Sequence, residues 1–297
     1  LSHDSVEAAL LARAGWIVRL DDDLEGSFEE GPENIIDHAK RDRRWCQGNL
    51  QHSKVITAPR LLPWSRFALF QGIFAYISPL IWLAFIVASI MAIPLAGVPN
   101  YFPQANWPFP VFPDDETPKA IGLAVGIFGL LVMPKLLVGL DAALTGRARG
   151  FGGVGGSLRS VFFELLLSSV IAPLLLAFQS RSVLQVLFGL DGGWPPNNRG
   201  DGGLSFAESW AGGRWISLWG VAGIAVTQFL APDLTLWLLP VALPMAFAPL
   251  LIWWTSRNAA QGLFQVPADT SCPAVVARHA EILQAWTLPV EQTKIAG

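Results

Sequence analysis

Cysteine and charge are both scarce in this sequence. Of its 297 residues only Cys46 and Cys272 are cysteines, which excludes a disulfide framework and allows both to remain reduced cytosolic thiols. Charged residues make up 14% and hydrophobic residues 52%, and the mean hydropathy is +0.44. These values exclude an ordinary soluble composition and indicate a membrane protein.

Charge is missing altogether from three long runs, and a fourth, 121–140, has only Lys135, near its far end, where it can reach the membrane interface. We predict four membrane crossings, at 67–93, 121–140, 215–231 and 234–254. A fifth apolar stretch, 161–190, is interrupted by Glu164, Pro173, Gln179 and Arg181. Its sequence fits either one crossing or a pair of amphipathic helices that lie in the membrane interface.

The positions of Lys and Arg predict the sidedness of these spans. Basic residues occur within 41–66, within 147–214 and at 257, whereas the loops 97–118 and 231–233 contain none. Cytoplasmic loops carry the excess of positive charge in membrane proteins. Four crossings, with 161–190 held at the cytoplasmic face, therefore place every basic segment inside and the loop 97–118 in the periplasm.

The N-terminal segment starts at Leu1 without a Met, a signal peptide or a transit peptide, and we interpret the chain as the C-terminal portion of a longer protein. Asp4, with Glu7 three residues later, is predicted to cap a helix over 6–13 that Gly15 closes.

A short strand is predicted at 16–20, followed by an acidic run at 21–23. Three consecutive carboxylates cannot all face one ion, so we expect a solvated loop there rather than a metal site.

A basic string with one tryptophan connects the charged part to the apolar part: Lys-Arg-Asp-Arg-Arg-Trp-Cys-Gln-Gly-Asn-Leu-Gln-His at 40–52. If 34–51 is helical, Arg41, Arg44, Trp45 and Gly48 share one face. Arginine forks suit phosphate oxygens, an indole suits the C–H side of a sugar ring, and glycine lets a ligand approach. A basic helix lying under anionic headgroups is the alternative, which explains the arginines but not the tryptophan.

The pattern Arg41-x-x-Arg44-Trp45, called the RxxRW string below, resembles the (Q/R)xxRW motif of processive, membrane-embedded inverting glycosyltransferases, the cellulose synthase and hyaluronan synthase group. Arg41 stands where cellulose synthases carry Gln. The longer string through His52 is similar to the members that build the backbone of osmoregulated periplasmic glucans in Gram-negative bacteria.

This resemblance implies a fold class and a location. The family has a cytosolic Rossmann-like α/β glycosyltransferase domain followed by transmembrane helices. Residues 1–60 would be the C-terminal end of that domain with the RxxRW helix, and 61–257 an α-helical multi-pass region of about four spans plus interfacial helices. Residues 258–297 would form a cytoplasmic tail, with a peripheral helix at 274–286. The protein would lie in the bacterial inner membrane.

The resemblance also implies site residues. The pair His3-Asp4 resembles the family's acidic motif, whose Asp is the catalytic base, with His3 standing where relatives often have Glu. Trp45 would hold the acceptor sugar, while Arg41 and Arg44 would stabilise the leaving diphosphate. His3 is expected to be substrate-binding as well.

In the resembling synthases a cytoplasmic loop closes over the nucleotide at the place that 191–209 occupies here. Trp194 and Arg199 in this loop have suitable chemistry for stacking and phosphate contact, although an ordinary connector fits the sequence equally well.

The implied reaction is inverting transfer of glucose from UDP-glucose to a growing β-glucan, coupled to export. The implied partners are UDP-glucose, the glucan acceptor, the lipid bilayer and acyl carrier protein, with no nucleic acid. Mg²⁺ is implied as well, but the uridine-binding Asp and the metal-binding DxD of the family are not in this chain. We therefore expect the chain alone to be inactive. The alternative functions are a cellulose- or hyaluronan-like synthase and a non-catalytic channel subunit.

Overall fold

The computed structural model describes residues 3–21, 24, 27–29, 31–96, 100–102, 108–110, 117–190, 193, 203–257 and 263–287, without the side chains of 269, 270 and 287. Within these ranges it consists of α-helices joined by loops and two short 3-10 turns at His52–Lys54 and Arg147–Phe151. The helices are α1 (His3–Arg13), α2 (Ile35–Gln51), α3 (Pro63–Leu95), α4 (Thr117–Leu144), α5 (Gly153–Leu187), α6 (Phe206–Leu230), α7 (Pro232–Ala246), α8 (Ala248–Thr255), α9 (Pro267–Thr270) and α10 (Ala274–Thr287).

The chain divides into two compact units. The first comprises Leu1–Val18, Pro32–Leu130 and Glu164–Ala259. The second comprises Arg19–Gly31, Leu131–Phe163 and Ala260–Gly297.

The main core of the first unit joins the start of α2 to three apolar helices. Ile35 of α2 is buried together with Leu174 of α5, Ile216 of α6 and Ile252 of α8. A polar helix is thus fixed at one end of an apolar bundle by its first turn.

A second cluster in this unit holds α1 against the start of α3. Its buried members are Ala9, Leu61 and Leu69. Helix α1 ends at Arg13, as the glycine signal predicts: Gly15 takes φ +91°, and the N–H of Trp16 reaches the carbonyl of Leu11 at 3.0 Å. This is the αL closure that a glycine just past a helix favours.

Two N-terminal predictions are wrong. Helix α1 begins at His3, so Asp4 lies inside its first turn and does not cap it from outside. The segment 16–20 has no regular secondary structure and forms no strand with any part of the chain that the structure describes. A strand needs a neighbour to pair its backbone groups, and pattern alone does not supply one.

The predicted spans at 67–93 and 121–140 lie within α3 and α4. Both helices are long and apolar enough to cross a membrane, and so is α5. The pair α7 and α8, bent by 59° near Phe247, qualifies as a fourth span if counted as one. The described residues therefore offer three candidate spans, or up to four, and the fold is all helical there.

The membership of this set differs from the prediction. Residues 161–187 are part of one continuous helix, α5, rather than an amphipathic pair, and by length and composition α5 is a candidate span. Helix α6, which contains the predicted span 215–231, is not among the candidates. Its apolar run is short because Arg214 and Gln228 interrupt it.

In the second unit the C-terminal segment folds back on the turn between α4 and α5. The N–H of Phe264 donates to the hydroxyl of Ser160 at 3.1 Å. Pro267 lies so close to Gly150 that an added Cβ there would be 3.0 Å from its ring. The helix predicted at 274–286 is confirmed as α10, and its peripheral position stays a prediction.

Candidate functional site

The RxxRW string lies on α2, whose bounds follow from local signals. Asn34 is the N-cap: its Oδ1 accepts from the N–H of Asp37 at 2.9 Å, and its Nδ2 donates to the Asp37 carboxylate at 2.8 Å. Asp37 also sits in the first turn, where the helix dipole favours negative charge. The prediction of a helix over 34–51 is confirmed.

One face of α2 carries a stacked cation and indole. The guanidinium of Arg41 lies 4.7 Å from the centroid of the Trp45 ring, and Trp45 is 47% exposed. Within the part of the chain that the structure describes, Nε of Arg41 is buried and has no hydrogen-bond partner. A buried donor without a partner is costly, so this atom would gain from an incoming acceptor.

The other two members of the predicted face are less open. Arg44 is partly buried. Gly48 is buried, so the expectation that it gives a ligand close approach is wrong. A glycine offers little surface of its own once longer side chains stand on either side of it.

The neighbouring face of α2 contacts the apolar helices. Asp42 lies between two arginines of the string, and its carboxylate accepts from the hydroxyl of Tyr76 on α3 at 3.0 Å. It also accepts from Nε2 of Gln179 on α5 at 3.2 Å. Nη2 of Arg43 donates to the carbonyl of Leu190 at 3.2 Å, just beyond the end of α5. These contacts fix α2 to two helices.

Sequence reasoning missed this second face. A signal existed, because Asp42 is the one carboxylate inside a run of cations, and Tyr76 is one of two tyrosines in the chain. What could not be read is their pairing, since Asp42 and Gln179 are 137 residues apart.

Cys46 lies one turn beyond Asp42 and is fully buried. Burial raises the pKa of its thiol to about 12; the negative charge of Asp42 adds to that shift and Arg43 opposes it. The thiol therefore stays protonated and packs as a small apolar group.

Asn49 completes the contact of α2 with α3. Its Nδ2 donates to the carbonyl of Trp45 at 2.9 Å, and its Oδ1 lies against Gly72 of α3. A side chain at Gly72 would collide with this amide, so the glycine lets the two helices approach closely.

The predicted catalytic base, Asp4, is exposed in the first turn of α1. Its carboxylate lies 3.3 Å from Nε2 of His3, and the two side chains are 88% and 80% exposed respectively. Whether Asp4 and the RxxRW face act on one substrate stays a prediction.

Two predicted site residues lie in the loop after α5, and a metal site is the remaining question. Trp194 and Arg199 lie outside the described residues. Among the residues that are described, no group of three or more His, Cys, Asp or Glu could hold a metal ion. The described residues therefore do not fit a Mg²⁺ site.

Comparison with known proteins gives a family context. The model of glycosyl transferase family group 2 matches residues 3–131, which include α1, the RxxRW string and α3. A glucans biosynthesis glucosyltransferase H from Cereibacter sphaeroides is 61% identical over 286 residues, covering 96% of this chain and 48% of that relative. The resemblance seen in the RxxRW string is confirmed.

Proteins of the same name from other bacteria are also similar. One from Rhodopseudomonas palustris is 40% identical over 294 residues, covering 95% of this chain and 40% of its own length. One from a Shewanella species is 37% identical over 308 residues, covering 97% and 42%. The chain thus spans about half the length, or less, of these curated relatives. No solved structure matches it.

Proposed function

Because this chain is homologous to glucans biosynthesis glucosyltransferase H proteins, we propose that it is the acceptor-side part of a glucosyltransferase that builds a β-glucan backbone. In this function glucose moves with inversion from UDP-glucose to the end of the growing glucan at the cytoplasmic face of the bacterial inner membrane. The product is then exported through the membrane helices. The relatives' names favour this function over a cellulose- or hyaluronan-type synthase and over a channel subunit.

The observation that carries the proposal is the stacked pair of Arg41 and Trp45 on the open face of α2. The indole offers a flat apolar surface to the acceptor sugar. The guanidinium stacked on it at 4.7 Å has a donor, Nε, with no hydrogen-bond partner among the described residues. A diphosphate oxygen would satisfy that donor, and negative charge that develops on the leaving group would strengthen the bond.

Asp4 supplies the base in this proposal. Its exposed carboxylate would remove the proton from the acceptor hydroxyl as that oxygen attacks the anomeric carbon of glucose. The bond from that carbon to the diphosphate oxygen breaks as the new glycosidic bond forms, which inverts the configuration. Arg44 would share the leaving diphosphate with Arg41, and His3 would adjust the position of Asp4.

The remaining partners belong to the same proposal. The whole enzyme would bind the glucan acceptor and acyl carrier protein and would lie in the lipid bilayer. We place its nucleotide-binding and Mg²⁺-binding residues in the part of the relatives that this chain does not cover. Trp194 and Arg199 would close over the nucleotide from the loop between α5 and α6.

The test is Trp45→Ala in the full-length enzyme, assayed in membranes with labelled UDP-glucose. We expect polymer synthesis to fall below about one-tenth of wild type, since base–aromatic stacking of roughly 1–3 kcal/mol is the nearest measured guide. Membrane insertion should be unchanged, because almost half of this side chain faces solvent.

Trp286→Ala is the matched control. Trp286 is also exposed, at 86%, but lies on α10. Its removal should leave synthesis intact. Near wild-type synthesis by the Trp45→Ala enzyme would show that the indole is not the acceptor platform.

A further inference from the structure

We propose that Asp42 is a positioning residue that sets the rotation of α2, and thereby aims Arg41 and Trp45 at the substrates. This inference rests on the proposed function of that pair. It concerns three side chains that bond to one another rather than to the proposed substrates: Asp42 on α2, Tyr76 on α3 and Gln179 on α5.

The geometry of the carboxylate supports this role. Oδ1 of Asp42 accepts from the Tyr76 hydroxyl at 3.0 Å, and Oδ2 accepts from the Gln179 amide at 3.2 Å. The two oxygens therefore bind two different helices. All three side chains are partly buried, and hydrogen bonds to an ionised carboxylate in such a place are stronger than neutral ones.

The position of Asp42 along α2 makes it suited to control rotation. It is the next residue after Arg41, so the two side chains leave the helix about 100° apart. The start of α2 is held by apolar packing at Ile35, which resists displacement but fits several rotations. The two hydrogen bonds at Asp42 are directional and allow far fewer rotations of α2, because a hydrogen bond weakens steeply when its donor angle changes by a few tens of degrees.

Loss of the two hydrogen bonds to Asp42 would let α2 rotate and would move the face that carries Arg41 and Trp45. A rotation of about 20° shifts the tip of a long side chain such as Trp45 by roughly 2 Å, given a helix diameter of about 10 Å with side chains. A displacement of about 1 Å is enough to lower the rate of a positioned reaction about a hundredfold.

The first experiment removes the donors one at a time in the full-length enzyme. Tyr76→Phe deletes only a hydroxyl, and Gln179→Met replaces the amide with a side chain of similar length. Each is expected to lower kcat about tenfold, the effect of one lost hydrogen bond to a charged group, while KM for UDP-glucose changes by less than about twofold.

Matched controls lie on the same two helices. Ser78→Ala on α3 and Ser169→Ala on α5 remove hydroxyls that bond only to the backbone of their own helix, to Ala75 and Leu165 respectively. Both variants should keep wild-type kcat.

A rescue experiment tests the pairing itself. Asp42→Asn should lower kcat. Adding Gln179→Glu to that variant moves the negative charge across the contact, and the new amide at position 42 can donate to the new carboxylate at 179. The double variant should regain most of the lost kcat, because the contact between positions 42 and 179 is restored with donor and acceptor exchanged.

The last readout reports the rotation without using activity. Cys46 is fully buried one turn from Asp42, so in a Cys272→Ser background its alkylation rate measures how α2 sits. Tyr76→Phe and Gln179→Met should raise that rate several-fold, and the serine controls should not.

The outcomes separate this inference from the proposed function. Wild-type kcat in the Tyr76 and Gln179 variants overturns the positioning role, whether or not Cys46 becomes reactive. A lower kcat without rescue by the charge exchange overturns it as well. Full synthesis by the Trp45→Ala enzyme overturns the acceptor role of Trp45, whereas the alkylation rates of Cys46 still show whether the hydrogen bonds of Asp42 hold α2 in place.

Discussion

Adjacent residues of the RxxRW string face different surroundings and have different roles. Arg41 presents its guanidinium on the open indole of Trp45, whereas Asp42, the next residue, binds a tyrosine and a glutamine of two other helices. A helix turns about 100° per residue, so consecutive side chains necessarily face different surroundings. The motif therefore combines a chemical face and an anchoring face within one turn.

The two cysteines should differ sharply in reactivity. Cys46 is buried with its pKa raised to about 12, so at about pH 8 its thiol is ionised in roughly one molecule in ten thousand. Cys272 is exposed. We expect a maleimide to modify Cys272 rapidly in the native full-length protein and Cys46 only after denaturation, as read by peptide mass spectrometry.

The stability that burial of the Cys46 thiol contributes depends on pH, and its raised pKa fixes the direction of that dependence. The folded protein raises the pKa of Cys46 above the ordinary value of about 8.5, so the favourable burial of its neutral form is intact below that pH. This contribution to the free energy of unfolding is lost as the pH rises from about 8.5 towards about 12. Equal modification of both thiols in the native state at neutral pH would contradict the burial of Cys46.

At the scale of elements, local signals determined some helix bounds and failed at others. The cap at Asn34 and the closure at Gly15 use groups within a few residues, so α2 and the end of α1 were predictable. The strand at 16–20 was not, because its pattern says nothing about a partner. The contact of Asp42 with Gln179 spans 137 residues and was equally out of reach.

The hairpin of α6 and α7 depends on one glycine. A Cβ at Gly220 would lie 2.8 Å from the carbonyl oxygen of Ala242 and closer still to the backbone nitrogen of Ala246. Gly220→Ala should therefore force the helices apart and destabilise the protein by about 1–3 kcal/mol. A thermal unfolding scan of the full-length protein in detergent would measure this as a lower midpoint.

Gly223 is the matched control in the same helix. A Cβ there would meet only the Cδ2 of Leu238, at 3.9 Å, which is ordinary contact. Gly223→Ala should leave the midpoint unchanged or raise it slightly, because alanine has the higher helix propensity. Equal midpoints for both variants would rule out the close approach at Gly220.

At the scale of the whole molecule, the contacts of α2 bear on which helices cross the membrane. Helix α5 is long and apolar enough to span. Its C-terminal end, however, is tied to α2 through Gln179 and Leu190, and α2 immediately precedes α3. If α3 and α4 both cross, α5 starts on the side to which α4 returns and ends beside α2 on that same side. Under that condition we predict that α5 does not cross.

Thiol labelling tests this topology. We expect a membrane-impermeant reagent to label a cysteine at Asn100 in intact spheroplasts, and to reach Cys272 or a cysteine at Phe188 only after lysis. Asn100 and Phe188 are both exposed in the structure, as is Cys272, so accessibility within the protein is matched. Labelling of the Phe188 position before lysis would show that α5 crosses the membrane.

The exposed apolar segment at 16–20 bears on how the chain associates. Trp16, Ile17 and Leu20 are 70%, 90% and 94% exposed, on backbone that is part of no sheet in the described structure. Because its sequence predicts a strand, such a segment can add to an open sheet edge. Inside one polypeptide, such an addition completes a domain. Between two polypeptides the same addition is the first step of aggregation, so protein concentration and the supply of a partner edge decide which of the two occurs.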